Sequence, residues 1–220
     1  NIFALKKLGA QQVVSVSAVG SLREEIHPGD MVLVDQFIDR TRVRASTFFD
    51  EHGVVAHVGF SDPIDAALQA ALLQAVNEVG ARVHVGGTYV CMEGPQFSSR
   101  AESLMYRSWG AHVIGMTNLP EAKLAREAEL PYASLAMATD YDCWHQSEEA
   151  VTVEAVIAVL HKNVATARAA VRALVPRLPD ASQSPASRAL DNAIITTPSF
   201  VSRETRELLA PLIGKYLPVE

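Results

Sequence analysis

Cysteine is scarce in this chain: Cys91 and Cys143 are the only two in 220 residues. That excludes a disulfide framework and fits a reducing compartment. No Lys/Arg-rich run occurs and the formal net charge is −6, so neither nucleic acid nor an anionic lipid surface is the expected partner. No apolar stretch approaches the roughly 20 residues that cross a bilayer, and no basic-then-apolar leader opens the chain. The expected setting is soluble and cytoplasmic, with no membrane contact. Internal repeats and low-complexity tracts are absent, as is any His, Cys and carboxylate cluster with metal-ligand spacing. The chain also opens without Met and without a strand. Ile2, Leu5 and Leu8, closed by Gly9, describe the end of an amphipathic helix. A fold that begins inside a helix suggests a fragment.

What is present is an ordinary globular composition, 49% apolar and 20% charged, long enough for one ample domain over residues 1–220. A β-rich run, Gln12 to Ser17, ends at Gly20, and a second follows at Met31–Asp35. Residues 36–60 hold short β-like pieces and turns. Ser61-Asp62-Pro63 reads as a helix start, carried by Leu68, Leu72, Val76 and Val79 to Gly80. Val83 to Cys91 reads as one strand, and Ser99 with Glu102 has capping-box spacing for a helix through Trp109. Val113-Ile114 is a short strand, Asn118–Glu121 a second capping box, and Tyr132–Thr139 another strand. Val153, Val156, Leu160, Val164, Ala167, Val171 and Leu174 mark a long amphipathic helix. Pro179 to Pro185 reads as a surface loop, with a short helix at Arg203–Leu212 beyond it. Strands alternating with helices predict an α/β fold with a mixed, largely parallel central sheet flanked by helices.

Three stretches place polar residues where a buried strand ends and a helix begins, the position at which open α/β sheets collect ligands. They are Cys91–Glu102, Gly115–Glu121 and Met137–Trp144. Each alone is explained by a turn, a cap or solvated carboxylates. Three in one chain shift the balance toward a site, though not toward a named reaction.

Glu93-Gly94-Pro95-Gln96-Phe97-Ser98-Ser99-Arg100-Ala101-Glu102-Ser103 together with Thr139-Asp140-Tyr141-Asp142-Cys143-Trp144 resembles the purine phosphorylase signature of the 5′-methylthioadenosine phosphorylase family. Ser17–Glu25 and Asp35–Thr41 share the resemblance, which runs from Asn1 to about Val175 and more loosely to the end. It implies a nucleoside phosphorylase-like fold. The reaction implied is attack of phosphate on the anomeric carbon of 5′-methylthioadenosine, with adenine leaving through an oxocarbenium-like transition state. On this resemblance Asp140 protonates N7 and must itself be protonated to do so, which burial and nearby negative charge would favour. Asp142, two residues on in an extended segment, would accept from the 6-amino group, so the pair favours adenine over 6-oxopurines.

The same resemblance gives Phe97 the stacking of the base, Ser98 a place in the base pocket and Met116 the face of the ribose. Ser17, Ala18 and Thr117 become phosphate contacts, Thr117 close to the N-terminus of the helix opened by Asn118. His57 matches a histidine that reaches a neighbouring subunit's site, so the implied assembly is a homotrimer. Inorganic phosphate is a co-substrate, and neither an organic cofactor nor a metal is implied.

The departure is at the front. The family's Gly-Gly-Thr-Gly loop and its Arg-His pair, both phosphate-binding, precede the helix that ends at Gly9 and have no counterpart here. Gly86-Gly87-Thr88 lies inside a strand pattern and matches a different part of the family. Two alternatives therefore stand beside the first reading: a 6-oxopurine nucleoside phosphorylase, and a non-catalytic fragment that binds adenine nucleosides.

Overall fold

The computed structural model describes residues 1–145 and 153–219. Its helices are α1 (Ile2–Lys7), α2 (Ala66–Glu78), α3 (Arg100–Ser108), α4 (Glu121–Glu127), α5 (Val153–Leu174), α6 (Arg203–Leu208) and α7 (Ala210–Ile213). Its strands are β1 (Val13–Ser21), β2 (Met31–Leu33), β3 (Gln36–Arg40), β4 (Val83–Val85), β5 (Thr88–Met92), β6 (Val113–Gly115) and β7 (Tyr132–Asp140). One sheet holds them in the order β3-β5-β6-β1-β7-β2-β4. The pairs β1–β7, β2–β4, β3–β5 and β5–β6 are parallel, while β1–β6 and β2–β7 are antiparallel. This is the expected mixed, largely parallel sheet.

β7 is buried from Tyr132 through Thr139, as a central strand covered on both faces must be. On one face Leu135 and Met137 pack with Leu68, Leu72, Ala75 and Val76 of α2 and with Ala167, Ala170 and Leu174 of α5. On the other, Tyr132, Ala136 and Ala138 join Ile2 of α1, Ala122 and Ala125 of α4 and Leu212 and Ile213 of α7. Leu72 and Leu135 are 0% exposed, so truncating either to Ala would cost about 2–5 kcal/mol.

Several boundaries differ from the sequence expectation. α2 begins at Ala66 rather than near Pro63, because Asp65 provides the cap by accepting from the Leu68 amide at 2.8 Å. The run Val83–Cys91 is two strands at opposite ends of the sheet. Gly86 and Gly87 adopt φ of +83° and +126°, values that glycine reaches without strain, and they redirect the chain between β4 and β5. The helix after Thr117 starts at Glu121, and Pro120 at its cap position makes no side-chain cap. The Asn118 amide donates to Ser134 instead.

Pro179–Pro185 is more than a surface loop: Ala181 and Ser184 are buried, and the Ser184 hydroxyl donates to Asp65. The C-terminal helix is broken into α6 and α7 at Leu209. The Ser99–Glu102 capping box is formed as expected, and α5 spans the expected range, although the Val156 side chain lies outside the described residues.

Candidate active site

The ends of β1, β5, β6 and β7 converge on a cavity of about 180 Å³. Ala18, Val19 and Gly20 line it from β1, Met92 from the end of β5, and Ile114 to Thr117 from β6 and the turn beyond it. Thr139, Asp140 and Asp142 close one side and Phe97 another. The cavity therefore joins Ala18, Phe97, Met116, Thr117, Asp140 and Asp142 of the residues singled out in the sequence. A larger cavity, of about 700 Å³, touches Gln12, Asp65, Pro131 and Ala186 at the amino ends of β1 and β7 and contains none of them.

Asp140 ends β7 with both carboxylate oxygens engaged. Oδ1 accepts from the Asp142 amide at 2.8 Å, and Oδ2 lies 2.7 Å from the Thr139 hydroxyl. Thr139 Oγ1 is also 3.2 Å from the Val19 carbonyl. A threonine hydroxyl has one proton. If that proton goes to Val19, Oδ2 must carry its own proton and donate to Thr139. Burial raises the Asp140 pKa, and the bonds from Thr139 and the Asp142 amide work against it.

Asp142 opens a one-turn 3-10 helix with φ +51°, a left-handed conformation that Asp tolerates better than most residues. The two carboxylates thus meet in one cavity through a turn clasped by Asp140, rather than through the alternation of an extended segment. Asp142 Oδ2 is buried and, among the described residues, has no hydrogen-bond partner. Burial raises its pKa, the Ser103 hydroxyl and Cys143 amide lower it, and the negative charges of Asp140 and Glu102 raise it further.

Phe97 is 59% exposed and stands between the site and a neighbouring cavity lined by Arg40, Arg42 and Tyr106. Ser98 does not line the site cavity: its hydroxyl turns to Met92 Sδ at 3.5 Å, and its carbonyl accepts from the Cys143 thiol at 3.2 Å. Ser17 is buried just behind the lining. His57 is exposed and outside the cavity, its amide bonded to the Ala193 carbonyl. Among the described residues no Lys or Arg lines the cavity and no cluster is built to hold a metal.

Arg44 had no signal in the sequence. Its guanidinium donates to Glu93 Oε1 at 3.0 Å and to the carbonyls of Glu93, Met116 and Leu119 at 2.6–2.7 Å, with Met92 O at 3.3 Å. It ties the end of β5 to the turn after β6. Gly94 lets those segments touch: at φ +71°, a Cβ there would lie 2.5 Å from Met116 Sδ.

Residues 1–176 match the phosphorylase superfamily. The chain is 56% identical over 218 residues to the S-methyl-5′-thioadenosine phosphorylase of Geobacter sulfurreducens, covering 99% of this chain and 76% of that one. With the enzyme of the same name from Gloeobacter violaceus the identity is 55%, over 98% of this chain and 74% of that one. Among solved structures, a methylthioadenosine phosphorylase from an antarctic soil metagenomic library superposes with TM-score 0.89 at 48% identity, covering 96% and 75% of the two chains. The methylthioadenosine phosphorylase from Schistosoma mansoni in complex with adenine gives 0.83 at 32% identity, covering 88% and 75%. The chain belongs to the phosphorylase superfamily and, within it, to the S-methyl-5′-thioadenosine phosphorylases.

Proposed function

We propose that this protein cleaves 5′-methylthioadenosine with inorganic phosphate, giving adenine and 5-methylthioribose 1-phosphate. The C1′–N9 bond breaks, a phosphate oxygen bonds to C1′, and the electron pair left on the purine is neutralised by a proton delivered to N7. Asp140 delivers that proton. Its buried position favours the protonated form, and the charge of bound phosphate would favour it further. The Thr139 hydroxyl, 2.7 Å from Asp140 Oδ2, helps to orient the acid.

The observation that carries the reading is the pair of carboxylates, Asp140 and Asp142, lining one side of a single cavity at the ends of β1, β6 and β7. The ionised Asp142 carboxylate accepts from a 6-amino group. A 6-oxo group would oppose it with a second acceptor, and such mismatches are worth roughly 10⁴ in discrimination. The 6-oxopurine alternative is disfavoured on this ground.

Phe97 flanks the base and Ser98 supports that wall from behind. Met116 lies under the sugar and Ala18 and Thr117 face phosphate, with the hydroxyl of Ser17, buried behind that wall, turning to it when it binds. His57, exposed and outside its own chain's cavity, is suited to complete another subunit's site in a homotrimer. No cofactor beyond the co-substrate phosphate is required, and the cytoplasm is the proposed setting. Calorimetry with free bases tests the base reading: adenine should bind and hypoxanthine should not. Equal binding of both would overturn it.

A further inference from the structure

Two hydroxyl groups behind the wall of the site are stranded. Tyr89 on β5 is 0% exposed and Ser17 on β1 is 5% exposed. Among the described residues neither Tyr89 Oη nor Ser17 Oγ completes a hydrogen bond. An unsatisfied buried hydroxyl is costly, and a phenylalanine at position 89 would fill the same space, including the edge contact with Phe37 at 5.7 Å, without that cost. The oxygen itself therefore needs an explanation.

Its place supplies one. A Cβ on Gly115 would lie 2.1 Å from Tyr89 Oη and 3.3 Å from Val19 Cγ1, so the phenol occupies the space Gly115 leaves open. Gly115, Val19, Ala18 and Thr117 all line the cavity. In the empty site Thr117, through its hydroxyl and amide, and Ser17 pull the phenol's pKa down against the upward push of burial, the sense of groups that turn their protons toward its oxygen. The contact found for the Thr117 hydroxyl is a long one, 3.3 Å to Asn118 Oδ1.

We propose that Tyr89 is a positioning residue for the anion: when phosphate binds, the Ser17 or Thr117 proton turns outward onto a phosphate oxygen and the buried Tyr89 hydroxyl donates to the oxygen that it leaves. The inference rests on the reading of Ser17 and Thr117 as phosphate contacts. A serine or threonine that gives its single proton to an anion leaves lone pairs able to accept one. Tyr89 carries a proton with no acceptor. The row Tyr O–H to Ser or Thr O–H to phosphate satisfies every member, and each bond polarises the next. Burial keeps the phenol protonated, so it remains a donor at any working pH.

The test is Tyr89→Phe in the full natural polypeptide that carries these residues, with inorganic phosphate and adenine titrated separately by calorimetry. Loss of one such bond should weaken phosphate about tenfold, leave adenine within about twofold and leave Tm unchanged or slightly higher. The effect of Tyr89→Phe on phosphate should shrink in a Ser17→Ala or a Thr117→Ala background, whichever removes the acceptor, because the row is then already broken. Unchanged phosphate affinity in Tyr89→Phe overturns the proposal, as does an equal loss for phosphate and adenine, which would mark a packing role. A wild type that binds adenine but no phosphate also overturns it. Failure of the nucleoside reading would show separately, in the wild-type adenine titration.

Discussion

Gly20 faces Asp140 across the β1–β7 ladder where its register slips, and a Cβ on Gly20 would lie 3.0 Å from Asp140 Oδ1. The same methyl would be 3.2 Å from Ile114 Cγ2 and 3.3 Å from Asp142 Cβ. Gly20 is therefore needed for space at the two carboxylates. Gly20→Ala should displace the acid by a few tenths of an ångström or more and lower kcat about a hundredfold, the scale on which small misplacements act. Tm should change little. A variant with wild-type kcat would show that the carboxylates tolerate displacement.

Asp140 is expected to act in its protonated form, and the sign of its pH dependence follows. Burial raises its pKa, so the competent fraction is full at low pH and lost as pH rises through that raised value. The kcat should fall on that limb. Asp140→Asn should lower kcat about 10²–10⁴-fold and abolish the limb, with a smaller effect on nucleoside affinity. The stability of the empty protein should follow the same sense. A carboxyl with a raised folded pKa contributes stability below its ordinary range and loses it as pH rises through the raised value. Denaturation across pH should show that slope reduced in Asp140→Asn; an unaltered slope would contradict it.

Asp142→Asn replaces a carboxylate, which only accepts when ionised, with a group that can also donate. Cleavage of adenine nucleosides should weaken by about one to two orders of magnitude, and inosine should gain, as expected when a buried polar pairing is inverted. Specificity constants across a substrate panel measure this. An unchanged ratio would remove Asp142 from base recognition.

Arg44 should act on the site without touching substrate. Lysine cannot bond Glu93 and the carbonyls of Glu93, Met116 and Leu119 together, since its ammonium is a point donor rather than a fork. Arg44→Lys is expected to raise the nucleoside KM severalfold and to lower Tm by a few degrees, the order expected for about 1 kcal/mol. A wild-type KM in a destabilised variant would make Arg44 a staple of the fold alone.

What could be read from the sequence divides along physical lines. The Ser99–Glu102 capping box and the glycine stops at Gly9 and Gly80 were legible because they are local, set by a few neighbouring residues. The site motifs were legible because Glu93–Ser103 and Thr139–Trp144 carry a family's pattern. Gly86-Gly87 was smoothed into one strand because period and composition continue across it, and only positive φ values part the two halves. The start of α2 was misplaced because three capping side chains, Ser61, Asp62 and Asp65, compete within five positions and tertiary contact with Ser184 accompanies the third. Arg44 was invisible because its partners are 48 to 75 residues away, and Tyr89 because the neighbour that makes room for its hydroxyl is a glycine. The turn at Asp142 was missed because no local pattern announces a left-handed aspartate.

The central claim is tested most directly by following adenine release from 5′-methylthioadenosine, with and without inorganic phosphate, using the full natural polypeptide that carries these residues. The account predicts release that depends on phosphate, with 5-methylthioribose 1-phosphate formed in equal amount. Release that proceeds equally without phosphate and yields free 5-methylthioribose, or no release by a folded protein, would contradict it.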